Sequence, residues 1–324
     1  SAMLPGNNDD YIMLADNACD YENIYETSDK AEETSKKESV PVKDTDEVTT
    51  PALGEADTGS DTDTAVQNVI QRKEITGTVY NKTELSDYGF VHNHFYTITS
   101  ITELTESILR PDDFINRNLA IDKSSRQPQI LIFHTHSQEG FIDSVEADAK
   151  TTIVGVGDYL TKLLTERYGY NVIHDTTVYD YVDGKLDRSK AYTYAENGIA
   201  KILNDNPSIE VVIDLHRDGV ADTTHLVTQM DGKSMAKIMF FNGLSYSKIN
   251  GDIAYLNNPY RDDNLAMSLQ MQLIGEAYYP GFLRRIYVNA YRYCLHERGR
   301  SMLIEAGAQT NTFEEVKNAM EPLA

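Results

Sequence analysis

The sequence has 324 residues and is strongly acidic, with 51 Asp and Glu residues against 29 Lys and Arg residues and a formal net charge of -22. This excess of acid argues against binding of nucleic acid or of an anionic membrane, because both need a basic surface to neutralise phosphates. The apolar runs are far shorter than the roughly 20 residues of a membrane-spanning helix. Two cysteines are too few for a disulfide framework or a cysteine metal cluster. These numbers favour a soluble protein.

The first 70 residues differ in composition from the rest of the chain. They contain 17 acidic residues and 4 basic residues, and residues 29–68 are rich in Thr, Ser, Asp and Glu with no aromatic residue. Such a segment cannot bury enough apolar surface to offset the chain entropy that folding removes. We therefore expect residues 1–74 to form an acidic, disordered stalk or linker, and residues 75–324 to form the folded domain.

From residue 75 onward, short apolar runs alternate with segments of helical periodicity. The predicted strands cover residues 129–133, 171–174, 209–215, 285–288 and 302–304. The predicted helices cover residues 153–169, 189–204, 264–278 and 312–320. A β-hairpin is predicted with arms at 224–230 and 235–241 and a turn at Asp231-Gly232. Strands that alternate with helices predict one three-layer α/β/α domain around a mostly parallel, mixed sheet.

Three polar motifs each stand where a predicted buried strand ends. Residues 134–139 read HTHSQE, residues 214–218 read DLHRD, and residues 305–308 read EAGA. Because the carboxyl ends of the strands in an α/β sheet form one rim, these motifs can converge there. A hydrolytic zinc site uses two imidazoles and a carboxylate as ligands and a further carboxylate as the base. The sequence therefore predicts a zinc site at this rim.

The predicted zinc ligands are His136, Glu139 and His216. His136 and Glu139 stand three residues apart on a predicted turn, close enough to bind one ion together. His134 is still at the strand end and faces the same side as Ile132. We therefore favour His136 over His134, and His134 remains the alternative.

Two further residues are predicted to act in the chemistry. Glu305 is the predicted general base, with the alternatives that it caps the last helix or pairs with Arg300. Arg217 is predicted to polarise a substrate carbonyl or to bind a substrate carboxylate, and an ion pair with Asp214 or Asp218 is an equal alternative. Asp214 can orient a ligand imidazole or accept a backbone hydrogen bond.

Other motifs have structural explanations. Gly155 and Gly157 lie in a helical pattern without the preceding strand and third glycine of a dinucleotide site, so close helix packing is the better interpretation. His92 and His94 have no acidic residue near them in sequence, which favours packing or a cleft wall over a metal pair. The sequence has no Gly-x-Ser-x-Gly motif, so nucleophilic catalysis is unsupported.

The segments HTHSQEGF, IDLHRDGV and LIEAGAQTNTFEE resemble the motifs of the stage II sporulation protein P family, cell-wall hydrolases of endospore-forming bacteria. Through that family they resemble the zinc-dependent N-acetylmuramoyl-L-alanine amidases. The resemblance covers about 75–324 and includes YNKTELSDYGFVHNHF at Tyr80–Phe95. The spacing of His136 and Glu139 is also similar to the His-x-x-Glu of zinc carboxypeptidases. In most such amidases the glutamate ligand lies further from the first histidine, which leaves Glu146 as a rival to Glu139.

The resemblance implies a fold like that of zinc amidases and carboxypeptidases, and a Zn²⁺ cofactor. It implies cleavage of the amide between N-acetylmuramic acid and L-alanine, endopeptidase activity on cross-links, and thinning of septal wall during engulfment. The implied partners are peptidoglycan and the stage II sporulation proteins D and M. The implied location is outside the cytoplasm, at the septum between two membranes, with a membrane anchor that lies outside this sequence. The alternatives are carboxypeptidase or purely endopeptidase action, and a non-catalytic wall-binding module.

Overall fold

A computed structural model describes residues 74–182 and 184–324. The stalk predicted for residues 1–74 therefore lies outside the described residues, apart from Glu74. The predicted α/β domain is present and is built around one seven-stranded sheet.

The strands of this sheet are β1 (Tyr96–Ile98), β2 (Ile130–Phe133), β3 (Val172–His174), β6 (Val211–Asp218), β9 (Ile238–Gly243), β12 (Ile286–Asn289) and β13 (Ser301–Ala308). They lie side by side in the order β1-β12-β9-β13-β6-β2-β3. The short strands outside it are β4 (Tyr181–Val182), β5 (Lys185–Leu186), β7 (Val227–Met230), β8 (Lys233–Ala236), β10 (Tyr246–Ser247) and β11 (Gly251–Asp252). The α-helices are α1 (Lys82–Ser86), α2 (Tyr88–Phe95), α3 (Pro111–Asn116), α4 (Ile153–Lys162), α5 (Arg188–Asp205), α6 (Arg261–Tyr278) and α7 (Phe313–Leu323).

The sheet is mixed, as predicted, and consists of two parallel halves. Strands β13, β6, β2 and β3 run in one direction, and β9, β12 and β1 run in the other. The halves meet at a single antiparallel pair, β9 with β13. Because β2, β6 and β13 run the same way, their carboxyl ends lie on one edge of the sheet, where the three motifs were expected to converge.

Helices cover both faces of the sheet, which gives the three layers that the sequence predicts. Ile130 and Ile132 belong to the apolar cluster that includes α4, α6 and α7. Leu131 and Phe133 point to the opposite face and pack with α5. Successive side chains of β2 thus point to opposite faces of the sheet, and both faces are buried. For this reason all four residues of the strand are apolar.

Local sequence signals set several element ends. The side chain of Thr152 caps α4 by accepting a hydrogen bond from the Val154 amide. A π-helical turn, Leu163–Arg167, extends α4, and Gly169 follows with φ 75°. Asp231 and Gly232 form the predicted hairpin turn between β7 and β8, with φ 50° and 77°.

Two predictions of strand extent were wrong. The second hairpin arm does not continue to residue 241: β8 ends at Ala236, and β9 leaves the hairpin for the central sheet, where every one of its residues is buried. Strands β6 and β13 continue to Asp218 and Ala308, so the second and third polar motifs lie within these strands rather than after them. The reason is that β6 and β13 pair with each other along this stretch, which supplies backbone partners for polar residues.

Among the described residues, no helix has the length and apolar character needed to cross a lipid bilayer.

Candidate metal centre

The carboxyl-end edge of β2, β6 and β13 brings the three polar motifs together. Phe133, the last residue of β2, is paired with Asp214 on β6. Glu305 on β13 is paired with His216 on β6. The loop after β2 then carries His136 to the same place.

His136, Glu139 and His216 form a buried group whose ligand atoms all lie within 4.8 Å of one another. His136 Nδ1 is 3.6 Å from Glu139 Oε1, and His216 Nδ1 is 3.5 Å from Glu139 Oε2. Tetrahedral zinc with bonds of about 2.0–2.1 Å would place its ligand atoms about 3.4 Å apart. Two imidazoles and one carboxylate at these distances fit a zinc ion that keeps a fourth position open.

The charges around this group also fit a bound cation. Burial raises the pKa of Glu139, but the neighbouring His216 and His136 outweigh this effect, and the pKa lies well below its usual value. Burial lowers the pKa of His216, but Asp214 and Glu139 outweigh it, and the pKa lies well above its usual value. The two carboxylates thus favour a positive charge beside them, which is the sign of charge that a metal ion would bring.

Asp214 contacts both His216 and the loop that leads to His136. Its Oδ1 is 2.8 Å from His216 Nε2, although the ring nitrogen is not aligned for a proper hydrogen bond. Asp214 also accepts hydrogen bonds from the Thr135 amide at 2.9 Å and from the Thr135 hydroxyl at 2.6 Å. Asp214 thus contacts His216 and holds the loop that carries His136. These contacts combine the two roles considered for it, orienting a ligand imidazole and accepting a backbone hydrogen bond.

Glu305 lies beside the group but is not part of it. Its Oε2 atom is buried and has no hydrogen-bond partner among the described residues. Burial, together with the negative charge of Asp218, raises the pKa of Glu305 to about 8. Neither structural alternative for Glu305 is realised: Thr312 and Glu315 cap the last helix, and Arg300 pairs with Glu210 at 2.9 Å.

The rival ligands are placed differently. Both ring nitrogens of His134 have protein partners, the Leu215 carbonyl at 2.7 Å and His174 Nε2 at 2.8 Å. Burial lowers the pKa of His134 to about 4. Glu146 is exposed on the loop after β2 and is outside the group.

Arg217 does not form either ion pair considered for it. Its backbone N–H donates to Glu139 Oε2 at 3.0 Å, and its side chain donates to the Gly140 and Asp218 carbonyls at 3.1 and 3.2 Å. The Asp218 carboxylate pairs instead with Arg284 at 2.6 Å. Arg217 thus binds Glu139 through its backbone, and a contact of its side chain with substrate stays a prediction.

His92, His94 and Gly155 make structural contacts, which is the interpretation that the sequence favours. His94 lies on α2 and bonds Tyr80 at 2.7 Å, and His92 bonds Asn93 at 2.9 Å. At Gly155, any Cβ would lie 2.1 Å from the Lys150 carbonyl oxygen, so close packing of the helix requires glycine.

Sequence reasoning missed Arg188, the first residue of α5. One guanidinium nitrogen of Arg188 donates to His136 Nδ1 and to Glu139 Oε1, both at 2.9 Å. It also missed Asp180, a buried carboxylate that accepts hydrogen bonds from the Ser137 hydroxyl and the Gln138 amide and so fixes the turn between His136 and Glu139. Neither residue stands near the motifs in sequence, so no spacing pattern could have identified it.

Arg188→Ala is expected to bind zinc more tightly than the wild type. The Nδ1 of a neutral imidazole has one lone pair, so the Arg188 N–H and a metal ion compete for His136. Losing a charge-assisted hydrogen bond to a buried group corresponds to roughly 10-fold or more in affinity. Competition with a zinc chelator measures the change. Lys190→Ala removes one cation from the same helix turn and should leave the affinity unchanged, whereas an unchanged or weakened Arg188→Ala protein would contradict the competition.

The chain matches the model of the stage II sporulation protein P family over residues 5–324, and it belongs to that family. Stage II sporulation protein P of Bacillus subtilis (strain 168) is 22% identical over 213 residues, a match that covers 60% of this chain and 49% of that protein. The match thus spans about half the length of this curated relative.

Two solved structures of amidases are distantly similar. The CwlD amidase of Clostridioides difficile in complex with the GerS lipoprotein has a TM-score of 0.36 and 16% identity, over 60% of this chain and 94% of that chain. The apo N-acetylmuramyl-L-alanine amidase Ami1 of Mycobacterium abscessus has a TM-score of 0.33 and 13% identity, over 61% and 95%.

Proposed function

We propose that the protein is a zinc-dependent peptidoglycan hydrolase that cleaves the amide between N-acetylmuramic acid and L-alanine. Membership of the stage II sporulation protein P family supports a role in the cell wall during sporulation. The observation that carries the chemistry is one buried arrangement: three ligand atoms within 4.8 Å, beside a carboxyl group whose Oε2 has no partner among the described residues.

In this proposal His136, Glu139 and His216 hold the zinc ion. Bound there, zinc supplies a Lewis acid that polarises the amide carbonyl and makes water a nucleophile near neutral pH. The Arg217 amide and Asp214 keep Glu139 and His216 in place through the contacts described above. His216 lies on strand β6, and hydrogen bonds to Asp214 and Asp180 hold the loop that carries His136 and Glu139, which limits how far these side chains can move.

Glu305 is the proposed general base. Its Oε2 accepts the proton that the attacking water gives up, and the same carboxyl then passes the proton to the nitrogen of the leaving L-alanine. A carboxyl whose pKa lies near neutral pH can hold the proton after the first step and release it in the second. A nearby divalent cation would favour the ionised form that is needed for the first step.

The biological setting follows from family membership and is proposed with the activity. The substrate would be septal peptidoglycan outside the cytoplasm, thinned during engulfment, with the stage II sporulation proteins D and M as partners. Endopeptidase activity on cross-links is proposed as a second activity of the same site.

Mass spectrometry of purified peptidoglycan after digestion tests the bond that is cleaved. Amidase action releases free stem peptides and leaves the lactoyl group of muramic acid intact on the glycan. Endopeptidase action separates cross-linked dimers whose peptides remain on the glycan. The His216→Ala protein is the control and should release neither. A wild-type protein that carries zinc, binds the wall and releases nothing would contradict the proposal and favour a wall-binding module.

A further inference from the structure

Lys237, between β8 and β9, is a half-buried lysine that has no acidic partner. Among the described lysines, only Lys237 and Lys317 are not exposed. Lys317 pairs with Glu314 at 3.1 Å, whereas the Lys237 side chain forms no ion pair and no hydrogen bond with any described residue. A half-buried ammonium group loses part of its hydration, and here no protein group compensates for the loss. An anion from outside the protein could do so.

The direction of the Lys237 side chain follows from its two neighbours. Ala236 and Ile238 both belong to the apolar cluster on the face of the sheet that α4, α6 and α7 cover. Successive side chains of an extended chain point to opposite faces. Lys237 therefore points to the other face, which is the face covered by α5.

The proposed site lies on the same face. Glu305 stands between Ile304 and Ala306, and His216 follows Leu215; all three of these apolar residues belong to the cluster on the opposite face. The side chains of Glu305 and His216 therefore point to the α5 face. Glu305 is also the one residue of β13 that is not fully buried, so a substrate can approach the site beside it.

The strand register sets the distance between Lys237 and Glu305. Glu305 pairs with Met239 in the antiparallel ladder of β13 and β9. Lys237 stands two residues before Met239, and its carbonyl accepts a hydrogen bond from the Gly307 amide at 3.0 Å, so the two chains still run side by side there. Such diagonal neighbours are about 7–8 Å apart. A lysine side chain can reach a group bound beside Glu305 from this distance.

The acidic residue of β6 on this face is already neutralised. Asp218 is two residues after His216 and so points to the same face. Its carboxylate pairs with Arg284 at 2.6 Å, and both side chains are only 9% exposed. This ion pair leaves Lys237 as the cation beside Glu305 that can bind a further carboxylate.

The proposed mechanism indicates which part of the substrate reaches Lys237. His216, Glu305 and Lys237 come from β6, β13 and the start of β9, which are neighbours in that order. Because Glu305 passes its proton to the nitrogen of the leaving L-alanine, the stem peptide lies on the Glu305 side of the zinc ion. An extended peptide spans at most about 3.6 Å per residue, so the second residue lies within about 7 Å of the leaving nitrogen. In peptidoglycan this residue is a D-glutamate that is linked through its side chain, which leaves its α-carboxyl group free.

We propose that Lys237 binds the α-carboxylate of the second residue of the stem peptide and makes the site specific for stems in which this group is free. This inference rests on the proposed amidase function, because that function defines which side of the scissile bond faces Glu305. A hydrogen bond between two charged groups corresponds to roughly 10-fold or more in affinity.

The test uses two synthetic muramyl peptides that differ only in the α-carboxyl group of the second residue, which is free in one and amidated in the other. The zinc-loaded wild type should cleave the free form with a kcat/KM roughly 10-fold or more higher, mainly through a lower KM, because the contact is present before the chemical step. Lys237→Met keeps the length of the side chain and removes the charge. It should cleave both peptides with the efficiency that the wild type shows for the amidated one.

Two further variants separate the charge from other effects of substitution. Lys237→Arg keeps a cation and should keep most of the preference for the free carboxylate. Lys233→Met changes an exposed lysine on β8 and should match the wild type on both peptides.

Calorimetric binding of L-alanyl-D-glutamate and of its α-amide gives a readout that needs no hydrolysis. The wild type should bind the free acid roughly 10-fold or more tightly than the amide, and Lys237→Met should bind the two alike. The comparison within the wild type decides the question even if Lys237→Met fails to fold.

Two results would overturn the inference alone. They are a wild type that cleaves both muramyl peptides equally well, and a Lys237→Met protein that keeps the wild-type preference. A wild type that carries zinc and cleaves neither peptide is a different failure, since it would contradict the proposed amidase function and the specificity with it.

Discussion

Glu305→Gln is expected to lose peptidoglycan hydrolysis by about 100-fold or more while it keeps its zinc and its fold. A general base typically contributes at least this factor, and glutamine has the same shape but cannot accept the proton. Glu305 is not needed to hold the ion, because His136, Glu139 and His216 already supply three ligands.

The same substitution has a predicted effect on stability. The pKa of Glu305 is raised to about 8 in the folded metal-free protein, above its unfolded value. The ionised carboxylate therefore opposes folding at neutral pH, and the neutral glutamine should leave the melting temperature of the metal-free protein equal or higher. A loss of stability together with retained activity would instead assign Glu305 a structural role.

Hydrolysis, zinc content and melting temperature should be measured on one preparation. Glu146→Gln, which changes an exposed glutamate of the nearby loop, is the control and should match the wild type in all three. A stable, zinc-loaded and active Glu305→Gln protein contradicts the mechanism.

His136→Ala and His216→Ala are each expected to lose the zinc that the wild type carries at about one equivalent. Each substitution leaves two protein ligands, too few to hold the ion. Metal analysis after dialysis measures the loss, and His225→Ala controls for the removal of an imidazole. Full zinc retention in both variants would refute the ligand set.

The parallel test on His134 separates the two histidines of the first motif. If His134→Ala loses zinc while His136→Ala keeps it, the ligand choice is wrong although the site survives. Because His134 contacts the Leu215 carbonyl, we expect His134→Ala to weaken zinc binding less than His136→Ala does.

Much of the fold could be predicted because its signals are local. Strand β2 is a run of four apolar residues, Thr152 caps α4, and Asp231-Gly232 forms a tight turn. The position of β9, parallel to β12 and antiparallel to β13, could not be predicted. Strand pairing is decided by contacts between residues far apart in sequence, and the hairpin signal before β9 pointed to a longer hairpin arm.

The same distinction applies to the site. The ligand candidates could be recognised, because His136, Glu139 and His216 stand in motifs at predicted strand ends. Their supporting residues could not, because Arg188 and Asp180 lie more than 40 positions from His136 and meet the loop that carries it only through folding. His134 resembles a ligand in sequence, and only its bond to Leu215, 81 positions away, shows that its ring is already engaged.

Anomalous X-ray scattering at the zinc absorption edge, from crystals of the zinc-loaded protein, tests the central claim most directly. The account predicts one strong peak within about 2.0–2.2 Å of His136 Nδ1, a Glu139 carboxylate oxygen and His216 Nδ1. A peak bound by His134 or Glu146, or no peak among these side chains, would contradict it.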